Sequence, residues 1–400
     1  MDKKGMLSQK NAGVSVPFLL LGVFSLFVFL DNHNALFISD YYLMLLLLIC
    51  YGFAWVLSGR TVYMSREATA LICAAIYLAG VSFANYREID RGTLLSYLLW
   101  FLAFFFLAIL PSDKKSIDFV IACYMVGACI AALLVLIFRH PYGDTGRFSI
   151  LFPGNTEDVD PNYLGGFLFT AMALGLFVIP KKTSQRILFV LFEFVILGGL
   201  ALTGSRAAYL SVFIVFAGFL LQILRGKQKK YFWIALLVFL VAGGIVFAVL
   251  PEEFRQRFSI CNLFDTSNQY RMEHWGAALH AFSLKPIFGY GAAHTKTILS
   301  DYSGHVSDAH STLLTFMLHF GTVGMILLGY VLWKIVRPIF KSKNILAIAF
   351  LLAFFINNFI IANHLGISFW LPLMILYCMQ FHPGYFWENP KEQAVAGYEE

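Results

Sequence analysis

Charge is what this 400-residue chain has least of: 13% of its residues are Asp, Glu, Lys or Arg, against 59% hydrophobic and 17% aromatic. Soluble domains carry about a quarter charged residues, so an ordinary soluble protein is excluded. Cysteine is scarce as well. Cys50, Cys73, Cys123, Cys129 and Cys378 fall inside apolar runs and Cys261 stands alone, so neither a disulfide framework nor a metal-binding spacing is visible. The apolar/polar alternation of a β-barrel is missing. No apolar run carries the series of Asp, Glu or Lys that ion-coupled pathways use, and no internal repeat or pair of broken helices in corresponding halves points to a secondary transporter. Glu193, the main acid inside an apolar run, reads as a satisfied bundle contact and not as a proton relay.

What the chain does have is long apolar runs, each about as long as the roughly 20 residues that cross a bilayer as a helix. Lipid cannot satisfy backbone polar groups, so repeated runs of this length imply an all-α, polytopic membrane helical bundle. Twelve spans are expected, at 14–30, 36–57, 67–84, 93–110, 117–138, 162–180, 187–203, 207–224, 231–250, 311–333, 345–361 and 365–382. They organise the chain as N-terminal spans (1–138), central spans with an outer loop at 139–161 (139–250), one long outer loop carrying short interfacial helices (251–310), and C-terminal spans with a tail (311–400). The first run reads as a retained helix and not as a signal peptide. Lysines and arginines gather in alternate connections, such as Lys227, Lys229 and Lys230, which places both termini in the cytoplasm and the long loop outside. The net charge of +6 therefore reflects topology and not a nucleic-acid surface.

Eight of the ten histidines (His33, His140, His274, His280, His294, His305, His310 and His364) then fall on the outer side, with Arg139, Arg147, Arg206, Arg257 and Arg271. Four stretches concentrate them. In Leu202–Ser211 the turn Gly204–Ser205 leaves Arg206 beside a helix N-terminus. Orphan amides and a guanidinium converge there on an anion; alternatively the arginine snorkels to headgroups. In Asn268–Gly291 a short interfacial helix is expected, with Met272, Trp275, Leu279 and Phe282 as its apolar stripe and Arg271, His274 and, less cleanly, His280 off it. The stripe lies in lipid or on the bundle, and the helix either presents Arg271 to a ligand or merely rests on the membrane. In Ser307–Gly324, His310 stands where the loop re-enters the membrane and suits a general base oriented by Asp308; the alternative is a helix-capping Asp308 beside an incidental histidine. In Arg147–Gly166, Asp160, Pro161 and Asn162 start a helix and Arg147 adds an outward cation. The acids Glu157, Asp158 and Asp160 either bind sugar hydroxyls or a divalent ion, or belong to a solvated loop. His294 and His305 read as structural or solvent-facing.

Taken in order, the turn Gly204–Arg206, the segments Tyr270–Trp275 and Lys285–Gly291, Asp308–Ser311 and Gly321–Gly324 resemble the bacterial O-antigen ligase and polymerase superfamily. Ser311 stands where members of that family usually carry Asn. The resemblance implies a glycosyltransferase of the bacterial plasma membrane that takes sugar from an undecaprenyl-diphosphate carrier on the outer face, with no nucleotide sugar, cofactor or metal. Under it, Arg206 and Arg271 grip the diphosphate and His310 deprotonates the acceptor. Arg147, Arg257, Asp160, Asn162, His274, Asp308 and Tyr270 are candidate substrate contacts. The segment Asp160–Gly166 favours a polymerase, with lipid-linked oligosaccharide as donor and acceptor and a chain-length regulator as partner. A ligase passing the glycan to lipid A-core or protein is the alternative, and a transporter of the same lipids is the competing class.

Overall fold

The computed structural model describes residues 14–26, 40–58, 64–85, 89–110, 112–143, 146–151, 158–226, 229–249, 252, 266–304, 308–382 and 385–386. In chain order these form α1 (Val16–Leu26), α2 (Asp40–Leu57), α3 (Arg66–Ala84), α4 (Arg91–Ile109), α5 (Lys114–Phe138), β1 (His140–Tyr142), β2 (Arg147–Ser149), α6 (Pro161–Gly175), α7 (Thr183–Thr203), α8 (Arg206–Arg225), α9 (Phe232–Val249), α10 (Thr266–Leu284), α11 (Thr295–Ser303), α12 (Thr312–Ser342), α13 (Ile345–Ile360) and α14 (Ile367–Met379). The all-α reading holds, with one small antiparallel hairpin, Tyr142 opposite Arg147, that the sequence did not announce. Among the described residues six helices are long and apolar enough to cross a membrane and four more are shorter apolar helices. The architecture is that of a polytopic bundle; it does not establish the expected count of twelve spans.

Helix starts follow local chemistry. Ser65, Asp90, Asp113, Asp160, Ser311 and Asn344 each turn a side-chain oxygen onto an amide of the following first turn, satisfying N–H groups that a helix leaves unpaired. The core gathers on α4, where Tyr97, Trp100, Phe101 and Phe104 are buried. Trp100 stacks on Trp370 of α14, with ring centroids 6.4 Å apart, and Phe104 meets Tyr377 edge-on at 5.5 Å. At the other extreme α9 is apolar all round and largely exposed, with Trp233 at 72%, as a helix facing lipid should be.

The feature that most shapes the site is a break in α12. Gly321 sits at φ 58°, ψ −172°, a region essentially reserved for glycine, and the helix continues beyond it to Ser342. The expected single span at 311–333 is therefore two pieces. The backbone groups freed by the break are taken up by the segment Lys285–Gly291: Tyr290 and Gly291 donate to the carbonyls of Leu318 and His319, and Thr322 and Val323 donate to those of Pro286 and Ile287. The two segments that resemble family motifs thus interlock, and the non-helical backbone within α12 is satisfied by protein, as a bilayer would require. A Cβ on Gly321 would lie 2.4 Å from the Gly289 nitrogen. Gly321→Ala is therefore expected to cost about 1–3 kcal/mol from backbone conformation, plus the overlap, and to lower the thermal unfolding temperature in detergent. An unchanged unfolding temperature would mean the interlock is not needed for stability.

Candidate active site at one end of the bundle

The starts of α6, α8 and α12, the connection between α13 and α14, and a two-helix cap meet at the end of the bundle carrying His310. The turn between α7 and α8 uses Gly204 in the left-handed conformation, φ 61°, and puts Arg206 at the first position of α8, as expected. Beside it lies the first turn of α6. A Cβ on Gly165 would stand 2.8 Å from the Cβ of Ser205, so the starts of α6 and α8 are in near-backbone contact. Asp160 caps α6, accepting from the Asn162 amide at 2.7 Å, with Pro161 following. The start of α12 is clasped by the connection between α13 and α14: Thr312 donates through both N and Oγ1 to the Ile361 carbonyl at 2.9 and 2.7 Å, and the Tyr163 hydroxyl of α6 donates to Ala362.

His310 sits immediately before this clasped start, at φ 46°. Among the described residues the other two non-glycine residues in that region, Arg139 and Lys343, are helix C-caps, where a left-handed residue is ordinary. His310 precedes a helix instead, and for such a residue the conformation costs about 1–2 kcal/mol; cost of this kind concentrates at functional sites. The cap of α12 is Ser311, which accepts from the Leu314 amide, so the helix-capping role considered for Asp308 is corrected. Asp308 is left to act on His310. Burial lowers the His310 pKa below its ordinary 6.5, and the Arg271 guanidinium pushes the same way. Asp308 and Asp160 pull it back up, and His274 adds a smaller downward push. The imidazole is thus held neutral and able to accept a proton near pH 7.

The cap is α10 and α11. Its inner face carries Ala277, Ala278 and Ala281 packed with Leu314 and Leu318 of α12. His274 is on this face, 3% exposed, its ring centroid 5.9 Å from that of His310. Of the expected apolar stripe, Met272 and Leu279 are about half exposed, while Trp275 and Phe282 pack partly buried against this cluster. The fully buried positions of α10 that face α12 are alanines and one imidazole. Tyr270 is 46% exposed on the outer face of α10. Arg147 departs from its reading as an outward cation. It is 9% exposed, and its Nε donates to the Thr203 carbonyl at 2.8 Å while a terminal nitrogen donates to Asn162 Oδ1 at 2.9 Å. It therefore ties the α7–α8 turn that precedes Arg206 to the first turn of α6. Arg257, His305 and Glu157 lie outside the described residues. Among the described residues no three His, Cys, Asp or Glu side chains gather as a metal site.

Sequence reasoning passed over His319. It is buried, its Nδ1 2.9 Å from the Tyr97 hydroxyl and its Nε2 2.8 Å from Thr295 Oγ1, joining α4, α11 and α12 just above the break. Its lone place inside an apolar run gave no sign of this.

Bundle and site together define a polytopic membrane protein with a cationic, imidazole-bearing centre at one end. Residues 191–329 match the O-antigen ligase family, which bears out the resemblance to the O-antigen ligase and polymerase superfamily. The chain is also similar to proteins of Rickettsia conorii and Rickettsia felis provisionally named polysaccharide ligases, 27% identical over 199 residues and 26% over 196. Each alignment covers 45% of this chain and 46% of the relative, so it spans under half of either. The family segment holds Arg206, Arg271, His274, Asp308 and His310 but stops short of Arg147, Asp160 and Asn162.

Proposed function

We propose that this chain is a glycosyltransferase that moves a glycan from a polyprenyl-diphosphate carrier onto an acceptor hydroxyl at the membrane surface. The observation that carries the reading is the setting of His310: a strained, half-buried imidazole kept neutral, with Arg271, His274, Asp308 and Asp160 within electrostatic reach. In the proposed step the imidazole takes the acceptor proton, the acceptor oxygen attacks the anomeric carbon with inversion, and the bond to the diphosphate oxygen breaks. Arg271 and Arg206 stabilise the charge that collects on the leaving diphosphate, and Asp308 and Asp160 stabilise the imidazolium that forms. Arg147 and Asn162 position the helix starts and do not touch substrate. The charge pattern of the connections supports placing this end on the outer face of a bacterial plasma membrane.

The names of the similar proteins support a ligase, which hands a finished glycan to a different acceptor. The polymerase reading takes second place, on the segment Asp160–Gly166, and would bring in a chain-length regulator. Purified protein given lipid-linked repeat units alone, or with lipid A-core oligosaccharide, separates the two. The ligase reading predicts product only when the second acceptor is present, and a ladder of longer glycans from repeat units alone would reverse the order of preference. Absence of any glycan transfer under both conditions, with lipid moving across a vesicle bilayer, would replace both by a transporter.

A further inference from the structure

A second amphiphilic feature lies away from His310, where the end of α3 faces the segment that fills the break in α12. On α3, Ile76, Gly80 and Phe83 share one face by helical spacing. Ile76 and Phe83 are each 68% exposed, and a Cβ placed on Gly80 between them would meet nothing within 4 Å. The lipid-facing stripe therefore has a gap one side chain wide. Val81 and Ala84 on this side, and Pro286, Ile287 and Phe288 on the other, wall a cleft of about 510 Å³ around the gap.

At the head of the cleft stands Lys285. Its Nζ donates to Asn85 Oδ1 at 3.1 Å and lies 4.3 Å from the centroid of the Tyr290 ring. The Asn85 amide nitrogen donates to the Val81 carbonyl, which turns its oxygen toward the lysine. Lys285 follows the last residue of α10 and Asn85 the last residue of α3, so two helix C-termini hold the ammonium in place before any ligand arrives. Gly80 lies one turn, about 6 Å, below the end of α3. A fixed cation at the helix ends with an apolar notch directly beneath matches the layout of a phospholipid, phosphate above and chain below. Basic pockets between helices bind anionic head groups in this way.

We infer that this cleft binds one anionic glycerophospholipid of the leaflet at the His310 end, its phosphate on Lys285 and one acyl chain in the notch over Gly80. None of the residues lining the cleft is among those that face His310, so the lipid inferred here is a resident of the protein and not the lipid-diphosphate substrate.

The test is thermal unfolding of the full chain in mild detergent with added phosphatidylglycerol, phosphatidylcholine or inorganic phosphate. Phosphatidylglycerol is expected to raise the unfolding temperature more than phosphatidylcholine, and phosphate to do nothing. Gly80→Leu puts a side chain into the notch from a Cβ that meets nothing within 4 Å, and it favours the helix. It should unfold no lower than the parent without lipid and lose the phosphatidylglycerol shift. Lys285→Gln should weaken apparent phosphatidylglycerol affinity about fivefold, the worth of one basic residue at a lipid surface, and erase the preference over phosphatidylcholine. The inference is overturned if the parent shows no such preference, if phosphate alone reproduces the shift, or if either variant keeps the full preference.

Discussion

His310→Ala is expected to stop transfer while the bundle stays folded, leaving lipid-linked glycan to accumulate. Losing a general base typically costs about 10²–10⁴ in rate. The fold should tolerate the change because His310 lies before the cap of α12, and Ser311 and Thr312 make the bonds that clasp the start of that helix. Alanine meets the same left-handed backbone cost that histidine already bears. The pH dependence has a definite sign. The base works when neutral and its pKa is lowered, so activity should be flat above about 6.5 and fall only as pH drops through the lowered value. The Arg271 guanidinium is one of the causes of that lowering, so in Arg271→Gln the residual activity should fail at higher pH than in the parent. A pH–rate profile that did not move would remove Arg271 from the surroundings of His310.

Arg206→Lys and Arg271→Lys are expected to be nearly as severe. Each keeps the positive charge but loses the planar, two-pronged donor geometry that matches a phosphate. Removing a donor aimed at developing charge costs on the order of 10²–10³ in kcat. Arg206 begins α8 and Arg271 lies in the second turn of α10, so the two come from separate elements and neither is needed to build the other. Their losses should appear in turnover, with normal insertion and unfolding temperature. Full activity in both lysine variants would mean that they only anchor their helices among headgroups.

Much of this end of the molecule could be read in advance because its chemistry is local. Asp160–Pro161 is a helix start by capping and fixed φ alone, and Gly204 before Arg206 is a helix end followed at once by another start. The break in α12 was not legible, since Gly321 inside an apolar run looks like any small residue. What makes it a break is a segment more than thirty residues upstream that supplies the missing hydrogen-bond partners. The packing face of α10 was hidden for a related reason. Helical periodicity ranks residues by size and polarity, but the face of α10 that packs is chosen by how closely α12 approaches, which favours alanine. Arg147 looked like a ligand because arginine between spans usually faces water; its burial follows from the carbonyl of Thr203 and the amide of Asn162, both supplied by tertiary contacts.

The most direct test of the central claim is a stoichiometric transfer assay on purified protein. Polyprenyl diphosphate carrying one glycan is supplied with an acceptor glycan, without nucleotide, and both the new glycosidic bond and the released polyprenyl diphosphate are measured. The account predicts one diphosphate lipid released per bond formed, inversion at the anomeric carbon, and loss of both products together in His310→Ala. Equal product from the parent and from His310→Ala would contradict it.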